Sequence, residues 1–124
     1  MIAADSSALV AYLKNEKGAD LDLLDAAVLN GQLRLPPAVV TEILSDETSG
    51  MILGEVLPDI LMLELTDGYW ERAGLTRRLL LQKGLKAKIA DTLIAQSCID
   101  HGVTLIARDG DFRHFAKHCG LKLA

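Results

Sequence analysis

Two aspartates follow directly after an apolar run in the stretch VTLIARDGDF, near the end of the chain. Asp109 and Asp111 come after the run at 103–107 and are separated only by Gly110. Two carboxylates 4 Å apart repel each other by about 4 kcal/mol at an effective dielectric constant near 20. This spacing therefore indicates carboxylates that are spread apart, protonated or bound to a cation.

Three other acids interrupt apolar stretches of the sequence. Asp5 follows the first apolar run, Glu42 lies within VVTEIL, and Asp91 lies within KIADTLIAQ. Carboxylates among aliphatic side chains are uncommon unless a partner balances their charge. Mg²⁺ and Mn²⁺ are hard cations that prefer oxygen ligands, whereas zinc sites normally include Cys or His. The five acids together therefore indicate a candidate Mg²⁺ or Mn²⁺ centre.

Each acid also has a simpler explanation, which the sequence leaves open. Asp5, and either Asp109 or Asp111, could cap the helix that follows. Glu42 could lie on the solvent side of its helix, and Asp91 could interact with the dipole of a first helical turn. A metal centre requires that all five acids meet at one edge of the fold.

The apolar runs and the helix start and stop signals predict strands that alternate with helices. Strands are predicted at 1–4, 33–35, 60–65, 103–107 and 121–123. Helices are predicted from 6 or 7 to 13, from 19 to 30, from 37 toward 50, in a short turn before 58, from the cap at 67 to 84, from 87 to 101 and from 111 to 118. This alternation predicts a single α/β domain over 1–124, with three α/β/α layers and a short, mostly parallel five-stranded sheet.

The predicted sheet gives the acids a common location. Ligands in open α/β sheets bind beyond the carboxyl ends of the strands, where the strand order reverses. Asp5 lies just past the first strand, and Asp109 and Asp111 lie just past the fourth. If these two strands are neighbours, three carboxylates meet in one crevice.

Four segments in order, DSSALVAYL, VVTEIL, KIADTLIAQ and LIARDGDF, resemble the PIN domain family. More narrowly, they are similar to the VapC-type toxins of bacterial and archaeal toxin–antitoxin pairs. The resemblance extends from Asp5 to Phe112, nearly the whole chain. It implies a PIN-like sheet with strand order 3-2-1-4-5, in which the first and fourth strands are neighbours.

The resemblance implies a metal-dependent endoribonuclease that hydrolyses RNA with one or two Mg²⁺ or Mn²⁺ ions. The catalytic positions of the family fall on Asp5, Glu42, Asp91 and Asp109. Asp5 and Asp91 are expected to ligate the metal directly, and Asp109 directly or through water. Glu42 is expected to hold a coordinated water or a second ion.

Three further positions follow from the same resemblance. Asp111, before Phe112, matches an additional acid that is common in this subgroup and is expected as a further metal ligand. Ser7 falls on the position of an orienting hydroxyl. Ala107 replaces the Ser or Thr of many members, a change expected to affect the rate rather than metal binding.

The net charge of −4 argues against a nucleic-acid partner only at first sight. When the four catalytic acids are set aside, the remaining acids equal the 13 bases in number. Contacts with RNA phosphates are expected from basic residues near the acids, namely Lys86, Lys88, Arg108 and Arg113. Solvated helix faces and ordinary ion pairs are the alternative for each of them. Aromatic residues make up only 4% of the chain, so base stacking is expected to be limited, and Tyr69 and Trp70 are interpreted as packing residues.

The resemblance also implies a homodimer and a small antitoxin that occupies the acidic crevice. No apolar run approaches the ~18 residues of a membrane span, and the N-terminus lacks the basic leader of a signal peptide. Cys98 and Cys119 are interpreted as reduced thiols. We therefore expect a cytoplasmic protein that does not associate with membranes.

Two other functions remain open at this stage. A phosphate-receiving signalling domain has a similar size, fold class and acidic Mg²⁺ pocket, but it carries a second acid after the first strand, where this chain has Ser6 and Ser7. Asp67 and Lys122 are also poor matches to its other required residues. The second alternative is a non-catalytic PIN module that uses the acids only to bind a metal or an antitoxin.

Overall fold

A computed structural model describes residues 1–59 and 61–124. Within these residues, a parallel sheet is formed by β1 (Ile2–Ala4), β2 (Thr104–Ile106) and β3 (Lys122–Leu123), in the order β1-β2-β3. The β1 and β2 residues at the centre of the register, Ala3 and Leu105, are fully buried. Burial on both faces explains why these strands are apolar rather than alternating.

The prediction of five strands is wrong for the described residues, where the structure has three. On the free side of β1, two isolated parallel bridges, Ile2–Leu33 and Leu35–Met62, stand in place of the other strands. The strand predicted at 60–65 begins at a residue outside those described. Pro36 follows Leu35 directly and has no backbone N–H, so the second segment cannot extend its pairing before a helix begins. The order of the neighbouring segments still matches 3-2-1-4-5 and places β1 beside β2.

The helices lie between these strands and mostly follow the predicted pattern. They are α1 (Ser6–Leu13), α2 (Ala19–Leu29), α3 (Pro37–Leu44), α4 (Glu47–Val56), α5 (Tyr69–Gln82), α6 (Ile89–His101), a 3₁₀ turn (Gly110–Phe112) and α7 (Arg113–Cys119).

Two helix boundaries differ from the prediction. The helix predicted from 37 toward 50 is divided, because Asp46 begins α4 by accepting a hydrogen bond from the Ser49 N–H at 2.8 Å. The helix predicted to be capped by Asp67 begins at Tyr69, after Gly68 in a left-handed conformation with φ 81°.

The helices form two groups that share one hydrophobic core. α1 contacts α2, α3 and α4, while α5 contacts α6 and α7. The core consists mainly of Leu, Ile, Val and Ala side chains, with Phe112 and Phe115 as its largest members. None of the helices in 1–59 and 61–124 has both the length and the apolar character required to cross a membrane.

Candidate metal centre

Asp5 lies at the carboxyl end of β1 and caps α1. One carboxylate oxygen accepts a hydrogen bond from the Ala8 N–H at 2.8 Å, and the other accepts one from the Ser7 hydroxyl at 2.7 Å. The residue is only 2% exposed. Burial raises the pKa of Asp5 and the negative charge of Asp109 raises it further, whereas the two hydrogen bonds act in the opposite direction.

Asp109 and Asp111 lie at the carboxyl end of β2, beside Asp5. The Asp5 N–H donates to the Ile106 carbonyl at 3.0 Å, which fixes the two strand ends next to each other. The Asp109 carboxylate accepts a hydrogen bond from the Asp111 N–H at 2.9 Å and thereby caps the 3₁₀ turn. Asp109 therefore caps the turn, as its simpler explanation states, and also lies in the predicted crevice beside Asp5.

Asp91 reaches the same edge from the first turn of α6. One carboxylate oxygen from each of Asp91, Asp109 and Asp111 lies within 4.8 Å of the other two. Among the described residues, the buried Oδ2 of Asp91 has no hydrogen-bond partner. Burial raises the pKa of Asp91 to about 6, and the charge of Asp109 contributes to this rise.

These three carboxylates fit a hard divalent cation. A buried acceptor without a partner costs free energy, and a cation bound to Asp91 Oδ2 would remove that cost. The available donors are carboxylate oxygens, which Mg²⁺ and Mn²⁺ prefer. The residues therefore suit the class of ion that the sequence predicts.

Glu42 lies at the rim of this group rather than inside it. Its helix, α3, directs Val39 and Ile43 into the core, while Glu42 is exposed. One Glu42 oxygen accepts a hydrogen bond from the Ser6 hydroxyl at 2.6 Å, next to Asp5. The charge of Glu42 also contributes to the raised pKa of Asp91. Glu42 is thus both solvent-exposed, as its simpler explanation states, and close to the acids.

The basic residues near the acids divide into two kinds. Lys86 Nζ lies 3.0 Å from Asp111 Oδ2, and this pairing lowers the pKa of Asp111. Arg108 instead pairs with Asp20 at 2.7 Å and with Glu16 at 3.6 Å, away from the three carboxylates. Arg108 therefore forms ordinary ion pairs, which is the alternative to a contact with RNA.

Lys88 and Arg113 are the other two basic residues expected to contact RNA. Lys88 precedes α6 and is exposed, and its charge partly offsets the rise in the pKa of Asp91. The Arg113 Nε donates to the Gly110 carbonyl at 3.1 Å, so its guanidinium lies over the turn that carries Asp109 and Asp111.

The interpretation of the neighbouring aromatic residues as packing residues is confirmed for Tyr69 and holds for only one side of Trp70, whose ring packs against Tyr69 with the centroids 5.0 Å apart. Tyr69 is buried, and its hydroxyl donates to the Leu93 carbonyl at 2.6 Å. Trp70 is 63% exposed. The exposure of Trp70 could have been predicted from helical periodicity. The buried residues of α5 are Tyr69, Ala73 and Leu80, and Trp70 lies about 100° around the helix from Tyr69.

Trp70 borders an apolar groove between α3, α5 and α6 that also reaches Glu42. The groove has a volume of about 330 Å³. Ile89, at the start of α6, is 62% exposed within it. The other lining residues are Pro37, Ala38, Thr41, Leu65, Tyr69, Ala90 and Leu93.

The PIN domain family matches residues 2–118 of the sequence. No curated protein matches the chain in a sequence comparison. Solved structures share the fold over almost the full length of both chains, and three of them have identities of 15–20%, which show the fold alone.

The first of these structures is VapBC2 from Rickettsia felis bound to a DNA fragment from its promoter, with a TM-score of 0.79, 20% identity and coverage of 100% of this chain and 98% of that chain. The second is FitAcB from Neisseria gonorrhoeae, with a TM-score of 0.71, 18% identity and coverage of 99% and 96%. The third is VapBC-5 from Mycobacterium tuberculosis, a member of the VapBC family of toxin–antitoxin systems, with a TM-score of 0.69, 15% identity and coverage of 98% and 95%.

Proposed function

The chain belongs to the PIN domain family, and on that premise we propose that it is a Mg²⁺- or Mn²⁺-dependent endoribonuclease, the toxin of a toxin–antitoxin pair. The observation that carries this proposal is the group of three carboxylates formed by Asp91 in the first turn of α6 and by Asp109 and Asp111 beyond the end of β2, in which a buried Asp91 oxygen has no partner among the described residues. Because the chain belongs to the PIN domain family, we no longer retain the alternative of a phosphate-receiving signalling domain.

Each acid has a separate role in the proposed reaction. Asp91 and Asp5 hold the ion, with Asp5 fixed in one orientation by the Ser7 and Ala8 donors. Asp109 completes the ligand set, directly or through water. A bound divalent ion supplies positive charge that polarises the phosphoryl group and makes water a better nucleophile.

Glu42 is assigned to the water that attacks the phosphodiester. Because its side chain is exposed at the rim and anchored by Ser6, it can accept a proton from a water that approaches from solvent. The exposed Lys88 and Arg113 are assigned to phosphates of the bound RNA, together with Lys86. Arg108 contributes less, since Asp20 already holds its guanidinium.

Two protein partners complete the proposal. The groove bordered by Trp70 and Ile89 exposes large apolar side chains next to the acids, which supports a homodimer with a second copy at this surface. The similar structures of VapBC and FitAB type support an antitoxin that covers the acidic crevice. A ribonuclease of this kind would act in the cytoplasm, where its RNA is.

Cleavage of RNA by antitoxin-free protein tests the proposal. The protein would be incubated with total RNA and Mg²⁺ or Mn²⁺, and the new RNA ends would be sequenced. We expect defined cleavage sites that disappear with EDTA and in the Asp5→Asn and Asp91→Asn variants. Asp22→Asn is the matched control, because Asp22 is an exposed acid of α2 on a different element from the three clustered carboxylates. Intact RNA with either metal would instead support a non-catalytic module.

A further inference from the structure

One of the three clustered carboxylates already has a cation supplied by the protein. Lys86 Nζ lies 3.0 Å from Asp111 Oδ2, and the Asp111 oxygens belong to the same group as those of Asp91 and Asp109. The ammonium therefore pairs with one member of the acidic group, Asp111, while the buried Asp91 oxygen has no partner among the described residues.

The backbone on both sides of Lys86 is held in place. The Leu85 N–H donates to the Leu80 carbonyl at 3.0 Å, which closes the end of α5. The Ala87 side chain is buried, and its carbonyl accepts a hydrogen bond from the Arg77 Nε at 2.7 Å. Although the Lys86 side chain is largely exposed, its point of attachment is fixed beside Asp111.

Lys88 provides a contrast within the same short segment. It also lies close enough to the acids to influence Asp91, yet among the described residues it forms no ion pair with any of them. Both lysines thus add positive charge near the acids, but only Lys86 of the two contacts a clustered carboxylate.

We propose that Lys86 occupies the position of a second divalent ion, so that the centre takes a single ion on its Asp91–Asp109 side. Asp111 then acts as a positioning residue for Lys86 and not as a metal ligand. The inference rests on the proposed function, because that function supplies the divalent ion. The inference adds to the proposed function a stoichiometry of one ion per chain, and it gives Asp111 and Lys86 roles of their own.

The chemical reason is that the two cations compete for the same carboxylate. Sites with two divalent ions place them about 4 Å apart, so that both contact the reacting phosphate. An ammonium against Asp111 repels a second ion there and offers its own N–H donors to a phosphate oxygen. Since the Lys86 side chain is exposed, it can turn toward a phosphate without unfolding the segment that carries it.

Counting bound Mn²⁺ tests this inference without any measurement of RNA cleavage. Free Mn²⁺ would be measured by electron paramagnetic resonance during titration of the full chain at neutral pH and low salt. We expect one ion per chain for the wild type and for Lys88→Met, and two for Lys86→Met. The double variant Lys86→Met/Asp111→Asn should return to one ion, because the carboxylate that binds the second ion is then absent.

The matched lysine variants separate occupancy from general electrostatics. Lys88→Met removes the same charge and is expected to tighten Mn²⁺ binding several-fold without adding a site. Two ions in the wild type, or one ion in a folded Lys86→Met protein, would overturn the role of Lys86. Absence of any Mn²⁺ binding by the wild type would overturn the proposed metal-dependent function itself. Circular dichroism of each variant verifies the fold.

Discussion

Asp5, which is buried, and Asp91, which is half-buried, both have raised pKa values, but their oxygens differ in their hydrogen-bond partners. Asp5 accepts hydrogen bonds from Ser7 and Ala8, whereas Asp91 Oδ2 has no partner within the described part of the chain. The sequence predicted both positions, because an acid beside a predicted strand end or inside an apolar helix is visible in the order of residues. It did not predict the Lys86–Asp111 contact or the Ser6–Glu42 contact. These depend on how distant segments pack.

The substitution Asp91→Asn is expected to stabilise the protein in the presence of EDTA at pH 7.5. The folded-state pKa of about 6 lies above the reference value of 3.8, so ionisation of Asp91 opposes folding. The stability linked to its proton is fully present below about pH 4 and is lost as the pH rises through about 6. The gain at pH 7.5 should be about 1–2 kcal/mol, after a reduction for partial exposure to solvent.

Urea unfolding at pH 7.5 and pH 4.5 measures this effect. The difference between Asp91→Asn and the wild type should shrink strongly at pH 4.5, because Asp91 then carries a proton in the folded state and its ionisation no longer opposes folding. Asp22→Asn should leave the free energy of unfolding nearly unchanged at both values. A loss of stability in Asp91→Asn at pH 7.5 would contradict the assignment of burial as the cause of the raised pKa.

The adjacent serines offer a paired comparison at the same scale. Ser7→Ala removes a donor to the buried Asp5 and should lower the free energy of unfolding by about 1–2 kcal/mol. Ser6→Ala removes a donor to the exposed Glu42 and should cost less than about 0.5 kcal/mol. Chemical denaturation measures the free energy of unfolding of both variants. Equal losses of this free energy would show that the burial of Asp5 does not strengthen its hydrogen bond with Ser7.

At the scale of elements, the helices were predicted more closely than the sheet. Helix ends are specified locally, as by Gly102, which ends α6 with φ 63°. Strand length depends on how far two distant segments run together, which local patterns do not contain. The segments around Leu33 and Leu35 read as a strand, yet each makes only a single bridge because α3 begins at Pro37.

Two glycine-to-alanine substitutions should have opposite effects on stability. Gly102→Ala places a side chain in the left-handed region between α6 and β2 and should cost about 1 kcal/mol. Gly54→Ala lies within α4, where an added Cβ meets nothing within 4 Å, and should stabilise by about 0.5–1 kcal/mol. Thermal unfolding distinguishes the two, and a shift of the melting temperature in the same direction for both would contradict the backbone argument.

At the scale of the whole molecule, the proposed RNA site and the proposed dimer surface lie next to each other, because Glu42 lines the apolar groove and is also close to the acids. Lys86, Lys88 and Arg113 lie near the acids, while Trp70 and Ile89 border the apolar groove. The low aromatic content did not predict this arrangement, because composition does not reveal which of a few aromatic residues is exposed.

Trp70→Glu is expected to convert the proposed homodimer into a monomer. The substitution places a charge in the apolar groove, where a second copy would have to bury it. Light scattering coupled to gel filtration gives the mass directly. Leu75→Glu is the control, since Leu75 is 53% exposed on the same helix but does not line the groove. A wild-type monomer, or an unchanged mass in Trp70→Glu, would exclude this groove as the dimer contact.

The raised pKa of Asp91 also implies that the proposed uptake of a metal ion is an exchange with a proton. Near pH 6 about half of the molecules carry a proton on this carboxylate, and an arriving cation must release it. The heat of Mn²⁺ binding should therefore change with the ionisation enthalpy of the buffer, most strongly in mildly acidic solution. In a cell, a fall in internal pH would therefore weaken binding of the ion and lower the proposed ribonuclease activity, with no change in the amount of the protein or in its partners.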